Sequence, residues 1–480
     1  MQQKKSIGFG LRGWLLIIFQ AIAFLAFTAF TNYPMNLLAS SGFYGGWTGN
    51  PEAGEITGTA LVSTIYTIAA VVAVVVQLII SRFMGKIKSI KPLSMIMGGI
   101  GLALAAFITF YPPTMNPQGD VLWLILYGIE CVTIVMYATF TIGVLIGQWF
   151  PRRKGTVMGI ATLMFPIANG LIGFVANGIF QIDYEAGAPY LIEYAMSGGM
   201  AGKNTFMTAM LPFLIICIIG YIIGAIFVKD YPEQVGCYRD NDKNMTPEVA
   251  QKMMEQEIEA RRTTVWKTGH TLACRDYWFI TIPAGFLLMF AVGAMTQTQP
   301  IFEMVGLSDS YQTIMFGICA AGLVGSYVLG VLDTKIGTKK SMIMATILMV
   351  VSGILGIIGV VAGTPALVVV AFIILGLFMG ASSNYTVSAA AQYWRREDFS
   401  SVFAVLNPVA NLIQALGPML IANLLFGSAG LTGVFVACGV AGIISVILML
   451  LFSPKHVKET DDKYRAAAGK QLDDALANRL

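Results

Sequence analysis

Among the 26 acidic residues of this 480-residue chain, one, Glu130, lies deep inside a long apolar run. If that run begins to cross a membrane at Val121, Glu130 sits nine residues in. At 1.5 Å per helical residue that is roughly 13 Å, close to the centre of a hydrocarbon layer about 30 Å thick. A carboxylate there is costly unless it faces water or a partner, and burial favours its protonated form, so such a group can exchange protons near neutral pH. Glu130 therefore reads as a proton-coupling site; the blander reading is a permanently protonated side chain making one interhelical hydrogen bond. No Lys, Arg or His falls within the runs to pair with it, and His270 and His456 lie in polar segments, which excludes a histidine relay. The remaining substrate-binding candidates are Gln20, Tyr66, Tyr137, Asn169, Gln297, Asn384, Tyr385, Asn407, Asn411 and Gln414. Amides and phenols can orient a carboxyl, hydroxyl or amide group without a full charge, and aromatic rings supply the apolar wall usual in ligand sites. Each of these residues could instead tie two helices together.

Twelve apolar runs position these side chains: 15–39, 59–81, 92–111, 121–149, 155–180, 204–228, 277–302, 310–332, 341–362, 366–393, 400–427 and 430–452. Each is long enough to span a bilayer as a helix. Threaded alternately, they place every one of the 30 Lys and Arg residues except Lys203 on one side. Basic loops face the cytoplasm, so both termini are expected there, in a multi-pass protein of the cell membrane. The chain is 56% hydrophobic and 12% charged, with mean hydropathy +0.73. That is far from a soluble domain with about 25% charged residues. The net charge of +4 is spread over short inner loops and gives no reason to expect nucleic acid. Cys131, Cys217, Cys319 and Cys438 lie in spans, and Cys237 and Cys274 in the inner middle segment, so neither a disulfide framework nor a metal spacing is expected. The first run is too long for a cleaved signal peptide.

The halves repeat. Gln148-Trp149-Phe150-Pro151-Arg152-Arg153 after the fourth span corresponds to Gln392-Tyr393-Trp394-Arg395-Arg396 after the tenth. Pro166-Ile167-Ala168-Asn169 in the fifth corresponds to Pro408-Val409-Ala410-Asn411 in the eleventh. Duplicated halves around a central path are a transporter pattern, with the substrate held near the midplane. The expected organisation is a six-helix half over 1–229, a cytosolic middle segment over 230–275, a second half over 276–453 and a cytosolic tail over 454–480. Thr246-Pro247-Glu248 starts an amphipathic middle helix reaching Arg262, expected to tether the halves. The tail should be partly helical or disordered. Pro166 and Pro408 each remove a backbone bond and let a helix bend. No Walker-type Gly-Lys-Ser/Thr is present, so energy should come from an ion or solute gradient.

Twelve spans, doubled halves and basic inner turns resemble the major facilitator superfamily. Gly330-Val331-Leu332-Asp333-Thr334-Lys335-Ile336-Gly337-Thr338-Lys339-Lys340 resembles its Gly/Asp/basic signature, with one extra residue between Asp333 and Gly337. The matching first-half turn has Ser81 where an acid is expected. The resemblance implies that Asp333, together with the basic Arg152, Arg153, Arg395 and Arg396, gates the cytosolic side. More narrowly, Trp149-Phe150-Pro151-Arg152-Arg153-Lys154-Gly155 and Tyr231-Pro232-Glu233-Gln234-Val235-Gly236-Cys237 resemble the oxalate/formate antiporter and monocarboxylate transporter branch, which implies a carboxylate substrate. That branch holds its substrate with basic residues in later spans, yet spans eight and eleven here contain no Lys, Arg or His. A larger organic acid, such as those moved by the branch's bile-acid carriers, suits such a path better than a small dicarboxylate.

The expectation is an all-α membrane protein with twelve transmembrane helices in the major facilitator fold, and no enzyme. It would be a monomeric secondary transporter of a small-molecule organic monocarboxylate, coupled to protons and without cofactor. A proton-linked exporter of amphipathic cations or drugs is the alternative; a non-transporting membrane sensor is more remote.

Overall fold

Apolar stretches in a membrane find no water for their backbone groups, so each satisfies its own hydrogen bonds as a helix. The computed structural model describes residues 8–32, 34, 58–84, 86, 87, 89–111, 118–171, 200–242, 244–262 and 264–469, and all regular structure among them is helical. In the first half run α1 (Leu11–Ala26), continued by a π-helical segment (Phe27–Asn32), α2 (Gly58–Ser81) and α3 (Lys91–Phe110). Next come α4 (Val121–Val135), a second π-helical segment (Met136–Thr141), α5 (Ile142–Trp149), α6 (Lys154–Ala161) and α7 (Met200–Phe227). The middle segment holds α8 (Pro247–Arg262) and α9 (Thr268–Ala273). The second half comprises α10 (Arg275–Met295), α11 (Thr298–Met304), α12 (Tyr311–Ile336), α13 (Thr338–Val361), α14 (Pro365–Ser382), α15 (Asn384–Tyr393), α16 (Phe399–Phe426) and α17 (Gly430–Leu451). The tail forms α18 (Pro454–Ala467).

Eleven helices among the described residues are long and apolar enough to cross a membrane. The fifth expected span is described as far as Leu171, and its remainder, 172–180, lies outside the described residues. Three spans expected to be continuous are interrupted. The fifth turns at Thr162–Leu163, the seventh at Thr296–Gln297 and the tenth at Ser383. Prolines explain two of these breaks. A proline cannot bond the carbonyl four residues back, and Pro166 and Pro300 stand four residues after Thr162 and Thr296. At the third, the hydroxyls of Ser382 and Ser383 bond back to Met379 O and Gly380 O at 2.7 and 3.1 Å, competing with the helical ladder. Pro408, by contrast, sits within an unbroken α16.

The periphery exposes apolar side chains such as Phe316 and Val361, each 75% accessible, as a lipid-facing surface does. The halves meet where α2 packs on α16 and α6 packs on α12. At that second contact Gly159 and Gly330 face each other so closely that a side-chain carbon on either would come within about 3 Å of the other's backbone. Helix alternation brings the ends near residues 82–90, 150–153, 229–275, 336–338, 394–398 and 453–469 to one face, called here the basic face. The expected middle helix forms as α8, with Thr246 Oγ1 accepting from Val249 N at 3.5 Å. The tail is more ordered than expected. α18 docks against the basic face, where Trp266 donates to Asp461 Oδ1 at 2.8 Å and Arg395 pairs with Asp461 at 2.7 Å. Residues 470–480 lie outside the described residues, as does most of the expected outer loops.

Candidate functional site

A cavity lies between the halves, lined from the first by Gln20 and Phe24 of α1, Phe27, Thr139, Met158 and Phe165. The second half contributes Leu288, Val292, Met379, Ser382, Ser383, Val387, Asn407, Asn411 and Gln414. Its open space is only about 30 Å³, room for on the order of two waters. Among the described residues, no Asp, Glu, Lys, Arg or His belongs to this lining.

Helix irregularities supply the polar groups. In the π-helical segment after α4 the helical bond pattern shifts, and Gln20 Nε2 donates to Ala138 O at 2.7 Å. Because a carbonyl only accepts, that bond fixes the amide and leaves Gln20 Oε1 without a partner among the described residues. From the second half, Asn407 Oδ1 meets Thr386 Oγ1 at 3.2 Å while its Nδ2 has no partner among the described residues. Asn411 Nδ2 crosses between the halves to Thr139 Oγ1 at 3.2 Å. The cavity thus presents a free acceptor from one half and a free donor from the other.

Four of the ten expected substrate residues, Gln20, Asn407, Asn411 and Gln414, line this space. Tyr66 lies beside them, with its phenol against the Gln414 amide. The other five stand outside the lining. Tyr137 points into the first half, against Phe19 and Tyr221. Asn169 bonds back to Phe165 O of its own helix at 2.9 Å, so it does not mirror Asn411 in its contacts. Gln297 is buried at the break between α10 and α11. Asn384 is buried with neither amide atom partnered among the described residues, and Tyr385 is tied to Ser341 of α13. Thr139, Ser382 and Ser383 were missed by the sequence reading, because nothing in the sequence distinguishes them from other small polar residues of apolar helices.

Glu130 is fully buried and also outside the lining, with no hydrogen-bond partner for either oxygen among the described residues. Cys131, Tyr127 and Tyr66 cluster next to it, and Tyr66 reaches Gln414, so a run of polar side chains leads from the carboxyl to the cavity. Tyr127 donates to Thr31 O at 2.7 Å, joining this cluster to the π-helical part of the first span.

On the basic-face side the cavity is closed. Phe140, Phe403 and Phe399 stack in sequence, with ring centroids 6.2 and 5.7 Å apart. Gly143 permits this contact, since a side-chain carbon there would come within 3.0 Å of Phe403. Closer to the face, Thr156 N donates to Thr334 Oγ1 at 2.9 Å, and the Asp333 carboxylate lies against Gly155 with no room for a side chain there. Arg396 pairs with Glu257 of α8 at 2.7 Å, and Arg239 binds both Glu257 and Glu233. Burial pushes the Glu257 carboxyl up, but Arg396 and Arg239 outweigh it and hold it below the usual range. Of the expected gate residues, Asp333 reaches the first half at Gly155, and Arg396 pairs with Glu257 of the middle segment and donates to Gln148 O of the first half at 3.5 Å. Arg152 and Arg153 instead donate their backbone N–H groups to Asp240 at 3.1 Å, and Arg395 serves the tail through Asp461. In the first-half turn Ser81 makes a 3.1 Å hydroxyl contact with Thr268, a neutral counterpart of the Asp333 latch.

Residues 305–476, just over a third of the chain, match the family model of the Major Facilitator Superfamily. No curated protein matches in sequence. Among solved structures, the proton:xylose symporter XylE aligns with TM-score 0.64 and 13% identity over 92% of this chain and 95% of its own. A double-tryptophan XylE variant gives the same score and identity over 94% and 98%. The human organic anion transporter TETRAN aligns at TM-score 0.56 and 11% identity over 91% and 98%. The all-helical fold is therefore the major facilitator fold.

Proposed function

From a major facilitator fold whose second half matches the superfamily's family model, we propose that this chain is a secondary transporter that moves an organic monocarboxylate with a proton by alternating access. One observation carries the reading: the cavity offers an unengaged amide acceptor, Gln20 Oε1, and an unengaged amide donor, Asn407 Nδ2, amid aromatic and aliphatic walls without any ionised group. A protonated carboxyl carries one donor and one acceptor and matches that pair, whereas a bare carboxylate would be desolvated without a counter-charge. The phenylalanine-lined walls suit the apolar body of an amphipathic acid, which the cavity of about 30 Å³ admits only once the halves open, and TETRAN, named an organic anion transporter, shares the fold. Glu130 delivers the coupling proton to the substrate's carboxylate through the Tyr127–Cys131–Tyr66 cluster, so that the one proton crosses on the substrate, and the basic face is cytoplasmic. A cation exporter is the weaker reading, because no acid lines the cavity.

The contacts fit alternating access. The phenylalanine stack and the Glu257 and Asp333 bridges close the basic face. Releasing them lets the halves rock and opens the cavity to that side. The test is uptake by proteoliposomes from a panel of labelled monocarboxylates, oxalate, sugars and organic cations, with and without a pH gradient. Accumulation of a bulky monocarboxylate under an acid-outside gradient is expected, with no oxalate-for-formate counterflow. Transport of cations alone would sink the reading.

A further inference from the structure

Transport accounts for the cavity and the gate but leaves unused an open cleft of about 620 Å³ on the basic face, between the middle segment and the tail helix. Its lining brings together Arg262 at the end of α8, Lys267, His270 of α9, and Lys463 and Tyr464 of α18. Among the described residues, no acidic residue belongs to it. Arg262 shares the exposed Glu259 at 3.0 Å, a contact that water screens heavily. The acids closest in sequence to Lys463 are engaged elsewhere: Asp461 with Arg395, Arg465 and Trp266, and Asp462 with Arg395 at 4.0 Å. The cleft therefore gathers cations from three separate elements with little to neutralise them.

The aromatic wall of the cleft is fixed. His270 Nδ1 donates to Val265 O at 2.7 Å, so Nε2 becomes a donor to an anion only when the ring is doubly protonated. The Tyr464 ring stacks on His270 at 4.4 Å and meets Trp266 edge-on at 5.3 Å. Immediately after α9 the chain enters the membrane as α10. Trp278, in its first turns, is 37% exposed and donates to Leu272 O at 2.9 Å, which is how an aromatic residue sits at the headgroup level.

We propose that this cleft binds a phosphate-bearing anion, supplied either by an anionic phospholipid headgroup or by a soluble phosphate ester. Guanidinium and ammonium groups converging on one space recognise phosphate oxygens through charge-assisted hydrogen bonds, and basic pockets at the ends of membrane helices hold anionic headgroups. Bound there, the anion joins Lys463 on the tail to Lys267 and Arg262 on the middle segment, and so clamps α18 in its docked position beside the Arg465–Asp398 ion pair.

The full-length protein, delipidated in neutral detergent, serves for the test. One arm adds phosphatidylglycerol against phosphatidylcholine and reads retained lipid by native mass spectrometry and the shift in Tm. The other adds inorganic phosphate and glycerol 3-phosphate with the same readouts. Lys267→Gln with Lys463→Gln should weaken binding roughly tenfold or more, the loss of two charge-assisted contacts at about 1 kcal/mol each. Lys455→Gln with Lys458→Gln, on the same helix away from the cleft, should change nothing. If the double variant misfolds, single Lys267→Gln with protection of Lys463 from amine labelling reads the same contact. Retention of phosphatidylglycerol alone assigns the lipid source, and binding of the soluble phosphates assigns the other. Binding in neither arm, or binding equal in wild type and the Lys267/Lys463 variant, overturns the proposal.

Discussion

The central cavity and the basic-face seam lie in the same bundle and follow opposite electrostatic rules. The cavity is lined by amides, hydroxyls and apolar side chains, whereas the seam is held by buried ion pairs converging on Glu257. The difference teaches what each region must do. A cavity that releases its ligand every cycle gains from groups that are cheap to leave unpaired, and a neutral amide costs far less to expose than a charge. A seam that switches between two states gains from contacts that are strong when made and are replaced by water when broken.

The largest expected effect breaks the seam. Glu257→Gln leaves Arg239, 3% exposed, and the largely buried Arg396 without their shared carboxylate. Removing one member of a buried pair costs about 3–5 kcal/mol, here charged against the closed basic face. A cysteine placed at Phe403 should then become reactive to a reagent applied from the basic face, while the wild-type background stays protected.

Next in size is the proton. Glu130→Gln keeps shape and hydrogen bonding but cannot ionise. It should retain substrate exchange and lose accumulation driven by a pH gradient, a drive of roughly 1.4 kcal/mol per pH unit for one proton. An unchanged pH dependence of accumulation would make Glu130 structural and leave the substrate's own carboxyl to take up the proton without it. The cavity comes third. Asn407→Ala removes one neutral donor, about 1 kcal/mol, and should raise KM roughly five-fold with little change in Tm.

The smallest effect is on the tail. Asp398 is fully buried against Arg465, Thr264 and Asp461, and burial pushes its carboxyl up to about 7 despite Arg465. A carboxyl raised from 3.8 to about 7 takes up a proton as it is buried on folding. Its contribution to the stability of this region is therefore fully present below the ordinary value and lost as pH rises through 7. Protease cleavage within α18 should speed up between pH 4 and pH 7 and level off above, and Asp398→Asn should flatten the profile.

Much of the fold was legible because the bilayer imposes it. Helix length, the one-sided placement of basic residues and the repeated Pro-x-x-Asn element are read directly from residue types, and the amphipathic helix after Thr246 forms where its capping pattern says. The site was legible only in part. Gln20, Asn407, Asn411 and Gln414 meet in the cavity, yet Tyr137 and Asn169, equally polar and equally placed in sequence, face their own half.

The sequence by itself determined that this is a multi-span helical bundle of two related halves with one deeply placed carboxyl, since hydrophobic length and charge are properties of local composition. Only the tertiary structure decided which polar side chains share the cavity, that Glu130 stands beside that space and outside it, and that Glu257, far from any span in sequence, ties the middle segment to the second half. Helix rotation and the breaks at Thr162, Thr296 and Ser383 set those directions, and they arise from packing between helices that no single stretch of sequence contains.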